Sequence, residues 1–140
     1  MTSVLLHTLN HYPEFQSNAG INGIIAYVNS LPLAPAARVF PAHINTNAQR
    51  ARYHQKFGNN FVVVVAIQLI YRPSPRINLE VVRPQNHFAV LNAIWNNPRQ
   101  GLGVGVNAFY YQVCSRYLAI TRVETSQFLQ SKGDCQIGRN

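Results

Sequence analysis

The sequence predicts a single α+β domain in which antiparallel strands pack against two or three helices. The chain has 140 residues, enough for one sizeable core but not for two. The run FVVVVAIQLIY at Phe61–Tyr71 is β-branched and nearly continuous, as is typical of a central strand covered on both faces. Apolar residues at helical spacing precede it. We place the domain over residues 1–140, with a core at about 4–123 and a tail at 124–140.

Three helices are predicted from periodicity and stop signals. Ile21, Ile24 and Ile25 recur at helical spacing, so one face of the first helix is buried, and Pro32 ends it. Gly58 is a suitable C-terminal stop for the second helix. The helices are expected at about Gln16–Ser30, from a cap at Asn45 or Thr46 to Phe57, and over Phe88–Trp95 with a stop at Pro98.

Five strands are predicted from β-branched and aromatic runs bounded by turn residues. They are expected at Val4–Leu9, Phe61–Tyr71, Ile77–Val82, Asn107–Cys114 and Tyr117–Val123. The three glycines at Gly101, Gly103 and Gly105 are compatible with a loop or with a Gly-rich edge strand. The tail from Ser126 is expected to pack on the surface.

The charge balance limits the chemistry more than any motif does. Twelve Lys and Arg face four carboxylates, which are Glu14, Glu80, Glu124 and Asp134, and the net charge is +8. Magnesium or calcium sites need several carboxylate oxygens and paired-carboxylate hydrolysis needs two side by side, so neither is expected. The excess of positive charge predicts an anionic partner, either an acidic protein or a nucleic acid. The basic residues form no run, and Walker and RNP motifs are absent.

Targeting, cysteine and histidine patterns indicate an intracellular protein without metal. The start lacks a basic n-region with a long apolar segment, and no stretch approaches the ~20 apolar residues of a membrane span. The compartment and the oligomeric state stay open. Cys114 and Cys135 make no disulfide framework, so reduced thiols are predicted, although pairing of the two remains an alternative. The His residues show no metal-like pairing.

Several segments follow one another in an order and spacing that resemble one protein family. They are Val4-Leu5-Leu6-His7-Thr8, Asn22–Ala36, Val39-Phe40-Pro41-Ala42, Arg50-Ala51-Arg52-Tyr53, Phe61–Gln68, Gln112-Val113 and Tyr117-Leu118. The family is the ADP-ribosyltransferase superfamily, and the resemblance is to the catalytic domain of poly- and mono-ADP-ribose polymerases. It covers most of residues 4–123, and order and spacing carry it more than any single segment.

The resemblance implies an ADP-ribosyltransferase-like fold that binds NAD as a substrate without a Rossmann glycine motif. By position, His7 is the ribose-contacting His, and Thr8 lies where the family has the Gly that grips the nicotinamide carboxamide. Tyr53 corresponds to the aromatic residue that stacks on nicotinamide. Phe40, or alternatively Val39, replaces the first family Tyr, and Arg50 stands where a Ser normally bonds the carboxamide. The implied cofactor-binding residues are therefore His7, Thr8, Phe40, Arg50 and Tyr53.

One departure from the family concerns catalysis. The catalytic Glu of the family falls a few residues before Gln112, yet Val104–Tyr111 contains none, and Glu80 and Glu124 lie elsewhere. Because that carboxylate stabilises the transition state as nicotinamide leaves, enzymatic activity stays open. The expected function is NAD binding, with transfer of ADP-ribose to a protein or nucleic-acid target if the domain is active. A catalytically degenerate interaction module on the same fold is the alternative.

Two further alternatives come from the residues themselves. Tyr53 and Phe57 are one helical turn apart, so both rings could simply face the core, and Arg50 with His54 could form a solvated face. A small basic domain could also be a metal-independent ribonuclease that uses His and Tyr as acid and base. The candidates for that chemistry are His43, His54, His87 and Tyr110 or Tyr111.

Overall fold

A computed structural model of the chain describes residues 8–65, 68–96 and 105–136, with side chains described through residue 132. Its α-helices are α1 (Asn18–Ser30), α2 (Asn47–Phe57), α3 (His87–Trp95), α4 (Val106–Cys114) and α5 (Arg122–Gln136). Its strands are β1 (Phe61–Val64), β2 (Gln68–Ser74), β3 (Ile77–Val81) and β4 (Tyr117–Leu118). Short 3₁₀ helices lie at Pro13–Gln16, Pro35–Ala37 and Pro84–Asn86. The described chain forms one small α+β domain, as predicted.

The first two long helices confirm the prediction, and their caps explain where they begin. The Ser17 side chain accepts the Gly20 N–H at 3.0 Å and caps α1. At α2, the Thr46 hydroxyl accepts the Gln49 N–H at 3.1 Å while the Gln49 side chain accepts the Thr46 N–H at 3.1 Å. This reciprocal pair is a capping box, which satisfies two backbone donors that the first turn leaves without helical acceptors.

The predicted single strand at Phe61–Tyr71 is wrong, because the run folds back on itself as two antiparallel strands. Phe61 and Tyr71, the two ends of the predicted strand, are direct cross-strand partners. The chain turns at Val65, whose φ of 50° is in the left-handed region. A β-branched residue rarely adopts that conformation. The run also contains no Gly, Asn or Pro, so no sequence signal indicates a turn here. The run therefore supplies an edge strand and its neighbour.

The sheet is mixed rather than antiparallel, and its order is β1-β2-β3-β4. The strand pairs β1–β2 and β2–β3 are antiparallel, whereas β3 pairs with β4 in parallel through Glu80 opposite Tyr117 and Val81 opposite Leu118. A parallel pair needs a long crossover connection, and here that connection contains α3 and α4. The described residues thus contain five α-helices and a helical turn at 8–10, where two or three helices were predicted.

The last two predicted strands are also largely wrong. The segment Asn107–Cys114 belongs to α4, and only Tyr117–Leu118 of Tyr117–Val123 is a strand. Aromatic residues in the first segment favour strand, yet Phe109 and Val113 lie one helical turn apart and both are fully buried. Burial of that helical face overrides the local preference for strand.

The N-terminal strand and the glycine segment fall mainly outside the described residues. Of Val4–Leu9, only Thr8 and Leu9 are described, and they lie in a helical turn at 8–10, so they are not part of a strand. Gly101, Gly103 and Pro98 are likewise outside the described residues.

Two hydrophobic cores meet at the end of β3. The first lies between one face of the sheet and helices α1 and α2, and it includes Phe15, Ile24, Tyr53, Phe57, Leu69 and Val81. The second lies among α3, α4 and α5, and it includes Val82, Trp95, Phe109, Ile120 and Phe128. The tail from Ser126, expected to pack on the surface, instead contributes Phe128 to the interior.

Candidate functional site

Aromatic and basic side chains converge where α1, α2 and the connecting segment 31–46 meet. We call this group the aromatic-basic cluster, and its members are Tyr27, Arg38, Phe40, Arg50, Tyr53 and His54. Tyr27 points inward from the buried face of α1, and Tyr53 does so from α2. The prolines at Pro32 and Pro35 end α1 and turn the chain back, which brings Phe40 over both rings.

Three rings form the centre of the cluster. The ring centroids of Tyr27 and Phe40 are 4.9 Å apart, and those of Tyr27 and Tyr53 are 5.1 Å apart with nearly perpendicular planes. The Phe40 and Tyr53 centroids are 5.9 Å apart. Such tilted and edge-on contacts are the favoured arrangements of aromatic pairs. Tyr27 and Tyr53 are buried, whereas Phe40 is partly exposed and presents part of its ring to solvent.

Basic side chains border these rings. The Arg50 guanidinium carbon lies 5.3 Å from the Phe40 centroid, within the range of a cation–π contact. The Tyr27 hydroxyl and His54 Nδ1 are 2.5 Å apart, so one of these two groups donates a hydrogen bond to the other. Burial raises the pKa of Tyr27, and the charge and hydrogen bond of Arg38 oppose that rise, which places the guanidinium beside the phenol.

Two buried donors in the cluster lack an acceptor among the described residues. They are the Tyr53 hydroxyl and Nε of Arg38. Burial raises the pKa of Tyr53, with Glu14 and Tyr27 as smaller causes, so the hydroxyl stays protonated at neutral pH. Native proteins rarely leave buried donors unpaired, because each one costs about 1–3 kcal/mol of desolvation. This pair is therefore the feature of the cluster that most needs an explanation.

Two clefts flank Tyr53, and Glu14 lines both. The larger has a volume of about 400 Å³, and its wall includes Gly20, Pro41 and His43. The smaller has a volume of about 160 Å³ and is lined by Glu14, Ile44, Gln49, Arg52, Tyr53 and Lys56.

The Glu14 carboxylate is already neutralised within these clefts. Lys56 Nζ donates to both of its oxygens, at 2.9 and 3.0 Å. The same ammonium group lies 4.4 Å from the Tyr12 ring centroid. With Arg52 beside this pair, the charged side chains that line the smaller cleft sum to a positive charge.

The structure brings together three of the five residues that the sequence implied as cofactor-binding. Phe40, Arg50 and Tyr53 meet in the cluster. Thr8 is exposed in the helical turn at 8–10, where its carbonyl accepts the His11 N–H at 3.1 Å. His7 lies outside the described residues. Tyr53 and Phe57 are both buried in the first core, which confirms the alternative prediction that these two rings face the core.

Sequence reasoning missed Tyr27, Arg38 and the ion pair between Glu14 and Lys56. Tyr27 had a usable signal, because it follows Ile24 by three residues on the buried face of α1. No sequence pattern indicated a role for Arg38 or for the ion pair. The partners Glu14 and Lys56 are 42 residues apart, and only the folded chain joins them.

The residues proposed for ribonuclease chemistry lie in separate parts of the fold. His54 is bonded to Tyr27, and His43 is exposed at the larger cleft. His87 is buried beside the second core, where Glu124 and the Val82 carbonyl hold its ring nitrogens. Tyr110 is bonded to Asn10 at 2.8 Å. These contacts give no acid–base pair around a common cleft.

Among the described residues, no group of three or more His, Cys, Asp or Glu side chains converges to hold a metal ion. None of the described helices is both long enough and apolar enough to cross a membrane.

Comparisons of the chain with protein-family models, with curated proteins and with solved structures find no match.

Proposed function

We propose that this domain binds an anionic nucleotide at the aromatic-basic cluster and the clefts beside it, with NAD as the first candidate. One observation carries the proposal. Phe40, Arg50 and Tyr53, implied as binding residues from separate segments, lie together in a cluster with two buried donors that have no acceptor in the described part of the chain. A ligand with phosphate or amide oxygens would supply those acceptors. The resemblance to the ADP-ribosyltransferase superfamily supports the choice of NAD among nucleotides.

The charges of the site support an anionic ligand. Arg38, Arg50 and Arg52 lie in or beside the cluster, and the one described carboxylate that lines the two clefts, Glu14, is paired with Lys56. Guanidinium groups bind phosphate oxygens through paired N–H donors, which lysine cannot do. The net charge of +8 adds a long-range attraction for anions.

The shape of the site supports a ligand with a flat ring. Phe40 is partly exposed with Arg50 over its face, and aromatic and guanidinium planes are the surfaces on which bases stack. A volume of about 400 Å³ is within the usual range for small-molecule sites. The Tyr53 oxygen is enclosed, and Pro41 packs next to it against Gly23, so we expect the segment around Pro41 to shift when a ligand binds.

The proposal concerns binding, and the degenerate interaction module remains the second candidate for a specific reason. Glu124, one of the two late glutamates, is held by His87 and Thr121 at the start of α5 and serves the fold there. Glu80, the other, lies on the sheet and does not line the clefts beside Tyr53. If NAD binds without turnover, the domain recognises a nucleotide or an anionic partner rather than transferring ADP-ribose.

Thermal unfolding with titrated NAD tests the proposal. Ligand at ~100 times its dissociation constant stabilises by roughly 2.7 kcal/mol, which raises Tm by several degrees in a domain of this size. We expect a saturable shift that Arg50→Ala reduces, while the matched control Arg116→Ala, an exposed arginine in the turn after α4, leaves it intact.

The same titration separates the ligand classes. AMP, which carries one phosphate, should bind more weakly than NAD, and uncharged nicotinamide should give no shift. A shift that is equal in wild type and Arg50→Ala contradicts this site. No shift with any nucleotide, together with capture of an acidic protein that weakens with salt, moves the function to the interaction module.

A further inference from the structure

The carboxylate of Glu80 lies on the face of the sheet opposite the first core. Its strand neighbours Leu79 and Val81 are buried in that core, so Glu80 points to the other side. Its direct partners across the sheet are Ile70 on β2 and Tyr117 on β4. Glu80 is therefore half-buried between an aliphatic and an aromatic residue in the middle of the sheet.

Glu80 differs from the other two carboxylates whose side chains are described. Glu14 is paired with Lys56 and Glu124 with His87. In the part of the chain that the structure describes, the Glu80 side chain has neither an ion pair nor a hydrogen bond, although its backbone N–H donates to the Arg116 carbonyl at 3.1 Å. A half-buried carboxylate without a partner is unusual in a protein with three cations for every anion.

The carboxylate lines a cleft of about 270 Å³ together with other polar groups. Gln68 is two residues from Ile70 on β2, so its side chain shares the Glu80 face of the sheet. Asn86 enters from the short helix before α3. The remaining lining residues are Val65, Val81 and Arg83.

The cation nearest to Glu80 in sequence, Arg83, is bonded to α1. The two terminal nitrogens of Arg83 donate to side-chain oxygens of α1, to Asn18 at 3.2 Å and to Asn22 at 2.7 Å. These bonds direct the guanidinium toward α1. Although Arg83 lines the same cleft, Glu80 forms no ion pair with it or with any other described residue.

We propose that this cleft is a second binding site and that it takes a small organic cation, an ammonium or guanidinium group on a short apolar chain. Glu80 supplies the counter-charge, and the amide oxygens of Gln68 and Asn86 supply further acceptors for N–H donors. Val65 lines the cleft and contacts the apolar part. One carboxylate is too few for calcium or magnesium, which need several oxygen ligands, so an organic cation is the class that fits.

Chemical-shift mapping on ¹⁵N-labelled protein tests this site with butylammonium and butylguanidinium as probes and butanol as the neutral control. We expect saturable binding in the millimolar range, with the largest shifts at the amides of Gln68, Glu80 and Asn86. Glu80→Gln keeps the shape and removes the charge, and it should weaken binding by about tenfold or more. Glu124→Gln removes a carboxylate elsewhere and should leave the affinity unchanged.

Four results would overturn the proposal. The first three are shifts that map to another surface, equal affinity in wild type and Glu80→Gln, and equal binding of butanol. The absence of saturable shifts up to about 20 mM of either cation would also overturn it, because an affinity weaker than that has no value as recognition. The shift mapping and the butanol control use the wild-type protein, so these two parts of the test do not depend on the folding of a variant.

Discussion

His87 Nδ1 lies 2.7 Å from Oε2 of Glu124, and this contact ties the first residue of α3 to the first turn of α5. The other ring nitrogen of His87 is 2.9 Å from the Val82 carbonyl. A neutral imidazole has a single N–H and can satisfy only one of these two acceptors, whereas the imidazolium form satisfies both. Glu124 also accepts the Thr121 N–H at 3.0 Å. One carboxylate therefore caps α5 and also bonds the first residue of α3.

We predict that Glu124 stabilises the fold at neutral pH and not in strong acid. Burial raises the pKa of this carboxyl. The hydrogen bonds from His87 and Thr121, together with the charge of His87, outweigh that effect, so the pKa of Glu124 is lowered. A lowered pKa in the folded state means that stability is present above the ordinary carboxyl pKa and is lost as pH falls through the lowered value. Glu124→Ala should cost about 1–3 kcal/mol at pH 7 in urea unfolding. The difference from wild type should shrink toward pH 3, and a constant difference would contradict the role of charge.

Gly20→Ala should destabilise the domain, because α1 approaches the turn before it too closely for a side chain. A Cβ atom at Gly20 would lie 2.2 Å from the carbonyl oxygen of Glu14. Ala gains up to about 1 kcal/mol of helix propensity over Gly, but overpacking against backbone costs about 1–3 kcal/mol, so the clash wins. Gly105→Ala is the matched control, since a Cβ there meets nothing within 4 Å. Equal stability of the two variants in urea would show that the contact at Gly20 relaxes freely.

Tyr53→Phe separates stability from binding. The hydroxyl is buried without an acceptor among the described residues, so its removal should leave stability unchanged or raise it by up to about 1 kcal/mol. The same change should weaken NAD binding by roughly 5- to 10-fold if the hydroxyl donates to the ligand. Urea unfolding and NAD titration on one preparation give both numbers. A loss of stability larger than about 1 kcal/mol would mean that the hydroxyl is bonded within the protein.

Cys114 should resist alkylation in the folded state. Burial raises the pKa of its thiol, although hydrogen bonds from Tyr110 and Asn10 oppose the rise. Because the thiolate is the reactive form, the Cys135→Ser variant, which leaves Cys114 as the one thiol, should react with iodoacetamide at least about tenfold more slowly folded than in urea. Equal rates would show that α4 opens readily and exposes the thiol.

Features encoded by local spacing were predictable, and features that depend on distant contacts were not. The capping box at Thr46 and the buried isoleucines of α1 follow from residues within one or two turns. The hairpin at Val65 contains no typical turn residue that could have indicated it. The aromatic and β-branched residues of α4 favour strand, and the burial of Phe109 and Val113 on one helical face outweighs that preference.

The candidate site divides in the same way. Phe40, Arg50 and Tyr53 could be named from the order of segments, since each lies in a short stretch with its own spacing. The contacts of Arg38, and the ion pair of Glu14 with Lys56, form only when the chain folds back over α2. No local sequence pattern predicts them. The contrast between paired and unpaired carboxylates, which distinguishes Glu80, likewise exists only in the folded molecule.

The junction of the two cores constrains how the sequence can change in length. Val81 points into the first core and Val82, the next residue, belongs to the second. Successive residues of an extended chain face opposite sides, so inserting or deleting one residue near this point would send each valine to the wrong core. Substitutions here can be absorbed by repacking, whereas a change of chain length cannot. Over evolutionary time, we expect insertions and deletions to accumulate in the connections between elements and to avoid the end of β3.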